Sequence, residues 1–150
     1  MTEMMTVLRA PVRMDPVAKR YWLDGLRSER YPQGTSALHR GDRYCCLGVL
    51  CEVARDHGLN IAADREIIGD EARTYYDSAS QYLPASVVEW GRLDGEDPAI
   101  EIDEEIVDWW VEEGIYSDMP FALHQTTTLS DLNDNGVPFA LIAGLIERQL

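Results

Sequence analysis

Long apolar runs are missing from this chain of 150 residues. The longest, Val137 to Ile146, is broken by Pro138 and Gly144, whereas a bilayer-spanning helix takes about 18 or more apolar residues. No membrane span is expected. Cysteine is scarce and odd in number, three in all. The opening residues carry Glu3 with no continuous apolar stretch before Arg9, which does not read as a signal peptide. Free thiols in a reducing, cytoplasmic compartment are the expectation. Positive charge is also short: 13 Lys and Arg stand against 27 Asp and Glu, a net −14. That balance argues against direct nucleic-acid binding, whose affinity comes largely from Lys and Arg displacing condensed counterions. Internal repeats and low-complexity stretches are missing too. Neither a Walker-type loop nor a GxGxxG pattern is present, so nucleotide binding in either of those forms is not supported.

What is present is enough for one domain. An apolar fraction of 45% and this length allow a single core burying about 70% of the unfolded surface. Charge is polarised along the chain, net +3 over residues 1–50 and net −17 over residues 51–150. Asp15 as N-cap and Pro16 at the first helical position open a helix near residues 16–28, with Ala18, Trp22, Gly25 and Leu26 at helical spacing. Arg20 and Arg27 share its other side, with Asp24 placed for pairing. Tyr31 to Ser36 is turn chemistry. The segment YCCLGVLCEVARDH is apolar all round between Cys45 and Ala54 except for Glu52, and Gly58 follows as a stop. Such a helix is buried, so residues 45–57 are expected to form the central element. Ile61, Ile67 and Ile68 could supply one strand and Thr74, Tyr75 and Tyr76 another, turning at Gly69 and Asp70. Pro84 opens a short helix carrying Val87, Val88 and Trp90. Residues 94–118 form an acidic arm holding a helix over Asp103 to Glu113, with Ile102, Ile106, Trp109 and Trp110 on one side. Thr128 and Asp131 cap a short helix, and after a turn at Asn135 and Gly136 a last helix carries Phe139, Ile142, Ala143 and Ile146. The expected fold is mainly α, with α+β and one small hairpin as the alternative. It is a single compact domain, 15–150, ending in a helical hairpin after a flexible N-terminus, 1–14.

Three groups of residues carry chemistry. Cys45 and Cys46 begin the central helix behind Arg40 and Arg43, where a helix dipole favours a thiolate. His39 or His124 could act as base to such a nucleophile, with Asn133 or Asp134 orienting it. Apolar surroundings instead predict buried thiols with raised pKa, and no catalytic residue is committed. Arg40, Arg43 and Tyr44 form a basic, glycine-containing loop ahead of the helix, a candidate anion site to which Asn133 and Asp134 could contribute. The alternatives are that the two arginines pair with the acidic segment, or that Asp42 caps the helix. Trp109 and Trp110 beside Glu104, Glu105 and Glu112 could be core, or an aromatic partner surface rimmed by acid. No metal is expected, because Cys45 and Cys51, six residues apart on a helix, point to different sides. No cofactor is expected either.

The blocks WLDGLRSERYPQGTSALHRGDRYCCLGVLCEVA, YLPASVVEW and LSDLNDNGVPFALIAGLIE, in that order, resemble a family of small uncharacterised proteins from bacteriophages, prophages and actinobacterial genomes. A more distant likeness is to domains of unknown function with a Cys-x-Leu-Gly motif and a later Asn-Asp motif, matched by Cys45, Leu47, Gly48, Asn133 and Asp134. The resemblance implies a phage or mobile-element context in a host bacterial cytoplasm and supplies no catalytic residues. The expectation is therefore an accessory protein that binds a host protein or a small anionic ligand such as a signalling nucleotide. A Cys-dependent hydrolase and an acidic DNA mimic are the alternatives, and assembly into a homo-oligomer is left open.

Overall fold

The computed structural model describes residues 13–113 and 122–150. The part of the expected flexible N-terminus before residue 13, and residues 114–118 of the acidic arm, lie outside them. Helix α1, Pro16–Arg27, is capped by Asp15, whose carboxylate accepts from the Ala18 amide at 2.9 Å. It buries Ala18, Trp22, Leu23 and Leu26. Arg27 reaches Glu147 at 3.0 Å rather than Asp24. Helix α2, Cys46–Asp56, is the central element, with Leu47, Val49, Leu50, Cys51 and Ala54 wholly buried. Burying a leucine of this kind contributes about 2 kcal/mol. Trp22 donates its indole N–H to the Cys46 carbonyl at 2.9 Å and ties α1 to α2. At Gly48 an added Cβ would lie 1.8 Å from the Leu38 carbonyl oxygen, so only glycine allows the chain at Leu38 and the helix to approach this closely.

The fold class is α+β, not mainly α: helix accounts for 43% and strand for 18% of the described residues. Strands β1, His39–Arg40, and β2, Arg43–Tyr44, form a tight hairpin turning at Gly41, whose φ is +62°. Strands β3, Ala63–Ile68, and β4, Glu71–Tyr76, form the hairpin expected around Gly69 and Asp70. Pairing of β1 with β4 fuses the two hairpins into one antiparallel sheet of order β2-β1-β4-β3. The correction has a simple cause. Two-residue strands show no alternation, so HRGDRY reads as a loop, and the β1–β4 pairing joins segments distant in sequence.

Helix α3, Ala85–Gly91, follows Pro84. Strand β5, Ala99–Glu101, pairs with β6, Thr126–Thr128, across the acidic helix α4, Glu104–Glu112. Helices α5, Leu129–Asp134, and α6, Phe139–Gln149, make the C-terminal hairpin. Thr128 accepts from the Asp131 amide at 3.3 Å, and Phe139, Ile142, Ala143 and Ile146 are buried. Met14, within the span read as a flexible N-terminus, belongs to the core, and its amide donates to the Leu150 carbonyl. Among the described residues no helix is long and apolar enough to cross a membrane.

Candidate functional site

The amino end of α2 is a closed structural joint. Cys45 is the N-cap and its sulfur accepts from the Gly48 amide at 3.4 Å. The Cys46 amide donates to the Asn133 side-chain oxygen at 3.2 Å. That oxygen also accepts from Gln33 at 3.1 Å, while the Asn133 amide donates to the Gly34 carbonyl at 2.7 Å. Asp134 accepts from the Ser36 amide at 2.9 Å. Asn133 and Asp134 thus pin the 33–36 loop and α5 to the central helix. The amides on which an anion would depend at this helix end are already occupied, and the residue that occupies the Cys46 amide is Asn133 rather than Asp42.

The thiols lie in the same closed environment. Burial pushes the Cys45 thiol up to about 11, and Cys46 and Cys51 well above the usual thiol range. A desolvated thiol at neutral pH is protonated and a poor nucleophile. The two candidate bases are engaged elsewhere. His124 is exposed and faces Glu101 at 3.6 Å. His39 is buried, stacked on Tyr44 with ring centroids 4.0 Å apart, and its Nδ1 lies 3.1 Å from the Tyr76 hydroxyl. Tyr76 donates to Glu52 at 2.5 Å, so its oxygen accepts from His39 and the imidazole carries its proton on Nδ1. Desolvation is the main cause that lowers the His39 pKa, and nearby Arg65 lowers it further, while Glu52, the Gly41 backbone and Asp42 oppose. Sequence reasoning missed the Tyr76 and Glu52 partnership, although Glu52 stands out as the single charge inside an apolar helix.

The opposite side of the sheet is different. Register places Arg43 opposite Arg40, Arg40 opposite Arg73, and Arg73 opposite Glu66. Directly opposed residues of antiparallel strands project to one face, so three arginines from three adjacent strands stand side by side. Neighbouring strands are about 4.8 Å apart, which gives the row a span of about 10 Å. Arg43 donates to the Gln33 carbonyl at 3.1 Å, and Arg40 lies 3.6 Å from Glu71 in an exposed pairing. Among the described residues, Arg40 and Arg43 pair with nothing in the acidic segment. Among the described residues Arg73 has no ion pair, and its buried Nε has no hydrogen-bond partner. A buried N–H without an acceptor costs about 1–3 kcal/mol, so this guanidinium is held where a missing acceptor would be worth most. Tyr44 does not join the row. It is half-buried between His39 and an edge-on Tyr31, 5.1 Å away.

The acidic arm divides. Ile102, Ile106 and Trp110 are core residues, and Trp109 is half-buried against them. Glu104, Glu105 and Glu112 are exposed. Arg148 of α6 holds the arm down through Asp103 at 2.5 Å and Glu105 at 3.6 Å. Among the described residues no group of three His, Cys, Asp or Glu is arranged to hold a metal ion.

The model of one family, Domain of unknown function (DUF8296), matches residues 14–150. The chain belongs to this family. No curated protein and no solved structure matches the chain. The family match spans the joint around Asn133 and the arginine row alike, and it carries no activity to transfer to either.

Proposed function

We propose that this protein acts by binding, not by catalysis, and that it captures a small anionic ligand on the arginine row of the sheet. The observation that carries this reading is Arg73. An acidic chain has placed a guanidinium between Arg40 and Glu66, with its Nε buried and no acceptor among the described residues. Three adjacent guanidiniums offer the charge-assisted, forked donors suited to phosphate or carboxylate oxygens. The site draws Arg40 and Arg43 from the loop ahead of α2, adds Arg73, and leaves Asn133, Asp134 and Tyr44 to hold the scaffold. The resemblance to phage and prophage proteins supports an accessory role in a bacterial host cytoplasm, with the ligand, rather than a host protein, as the partner.

The hydrolase alternative is weakened by the buried thiols and their engaged histidines. The DNA-mimic alternative is weakened by an arm whose large side chains serve the core. Calorimetric titration with inorganic pyrophosphate tests the proposal. Binding that weakens with added salt and disappears in Arg73→Gln is the expected result. Absence of heat at millimolar pyrophosphate and low salt would refute it.

A further inference from the structure

Beyond the row itself, the same face of the sheet carries an aromatic and three carboxylates in a fixed order: Glu71 beside Arg40, and Asp64 and Glu66 on β3. Side chains two residues apart on a strand share a face and stand about 7 Å apart. Tyr75 is therefore the neighbour of Arg73 along β4. Register sets Asp64 of β3 opposite Tyr75, as it sets Glu66 opposite Arg73. Asp64, Arg65, Glu66, Tyr75 and Ser78 line a shallow depression next to the arginine row. Tyr75 is half-buried there, whereas Thr74 and Tyr76, on the other face of the strand, are buried.

We infer that the ligand is a free nucleotide whose phosphates lie along Arg43, Arg40 and Arg73 and whose nucleoside end packs on Tyr75 beside Asp64. This rests on the arginine row being an anion site. The order of charges argues for it. A phosphate is drawn to the three arginines at the β1–β2 end of the face, whereas at the β3 end Asp64 and Glu66 outnumber Arg65, so a ligand that is anionic throughout gains little there. A nucleoside gains there on two counts. Its base can stack on a tyrosine ring, an interaction every base offers through its π-face. A carboxylate such as Asp64 can accept from sugar hydroxyls, as acidic residues do in dinucleotide sites. The chain reaches this arrangement through register across four strands and not through a glycine-rich loop, which is why neither nucleotide motif is present in its sequence. The net charge of −14 favours a free nucleotide over a polynucleotide, whose further phosphates would meet acidic surface.

The test is calorimetric titration of the full chain with ADP, pyrophosphate and a short single-stranded oligonucleotide. ADP is expected to bind about tenfold more tightly than pyrophosphate, a gain within the range of one base stacked on an aromatic ring. Tyr75→Ala should reduce ADP to the pyrophosphate level and leave pyrophosphate unchanged, and Tyr75→Phe, which keeps the ring, should retain the advantage. Arg73→Gln should abolish both. Equal binding of ADP and pyrophosphate to the unmodified chain, or equal weakening of both by Tyr75→Ala, would overturn the nucleotide assignment while leaving the anion site standing. Failure of both ligands to bind would overturn the anion site itself. Tighter binding of the oligonucleotide than of ADP would overturn the choice of a free nucleotide.

Discussion

At the amino end of α2, polar groups are matched to one another. Asn133 serves the Cys46 amide, Gln33 and the Gly34 carbonyl at once. On the outer face of the sheet, Arg73 has its Nε sheltered from water and unanswered among the described residues. Both regions hold buried hydrogen-bonding atoms, yet only the first has them satisfied from within. An internally satisfied network fixes a fold and has little left to offer a ligand. An unsatisfied donor costs stability in the free protein, and the cost is recovered when an acceptor arrives. The contrast separates the residues that build this protein from those available to act for it.

The largest effect should come from breaking the satisfied region. Asn133→Ala strands the Cys46 amide and the Gly34 carbonyl, and each stranded group costs about 1–3 kcal/mol. A loss of about 3 kcal/mol, or roughly 10 °C in melting temperature for a domain of this size, is expected in chemical and thermal denaturation. A variant within 2 °C of the parent would show that the joint is not a structural one. Next in size are the thiols. Cys51→Ser leaves a hydroxyl in a wholly buried site and should cost about 2 kcal/mol. Native-state alkylation of all three thiols at neutral pH should proceed only as fast as the chain opens. Rapid labelling of Cys45 or Cys46 in the folded protein would return them to the list of candidate nucleophiles.

A smaller effect concerns His39. Its pKa is lowered from 6.5 by burial, against opposing contributions led by Glu52. Within the window between the lowered folded value and 6.5, the unfolded chain binds more protons than the folded one, so stability rises with pH there. Cooling of the melting temperature as pH falls below about 6.5 should therefore be steeper in the parent than in His39→Gln, which cannot titrate. Identical slopes would mean that the His39, Tyr76 and Glu52 chain carries no linkage.

Much of the satisfied region was legible in the sequence, and the unsatisfied region was not. Asp15 with Pro16, Thr128 with Asp131, and the apolar run from Cys45 to Ala54 announce helices through local rules of capping and spacing, and the hairpin at Gly69 and Asp70 does so through turn chemistry. Arg40 and Arg43 could be singled out because they flank Gly41. Arg73 could not, since it reads as one charge among several in EARTYY and reaches Arg40 only through pairing of β1 with β4, which leaves no local periodicity. Asn133 was noticed as a possible ligand residue, but its use as the cap of a distant helix is visible only in three dimensions. In the acidic arm helical spacing marks Ile102, Ile106 and Trp110 as a core stripe, and they are buried, while the carboxylates that dominate its composition leave a partner surface open as the alternative.

The central claim is that Arg73 is kept for a ligand and not for the fold. Thermal melting of the parent and of Arg73→Gln, each with and without pyrophosphate, tests it most directly. Without ligand the variant should be at least as stable as the parent, because it loses a buried donor that costs about 1–3 kcal/mol while unanswered. With pyrophosphate at about 100 times its dissociation constant, the parent should gain roughly 2.7 kcal/mol, and the variant should not respond. A variant that is markedly less stable without ligand, beside a parent that pyrophosphate does not shift, would contradict the account.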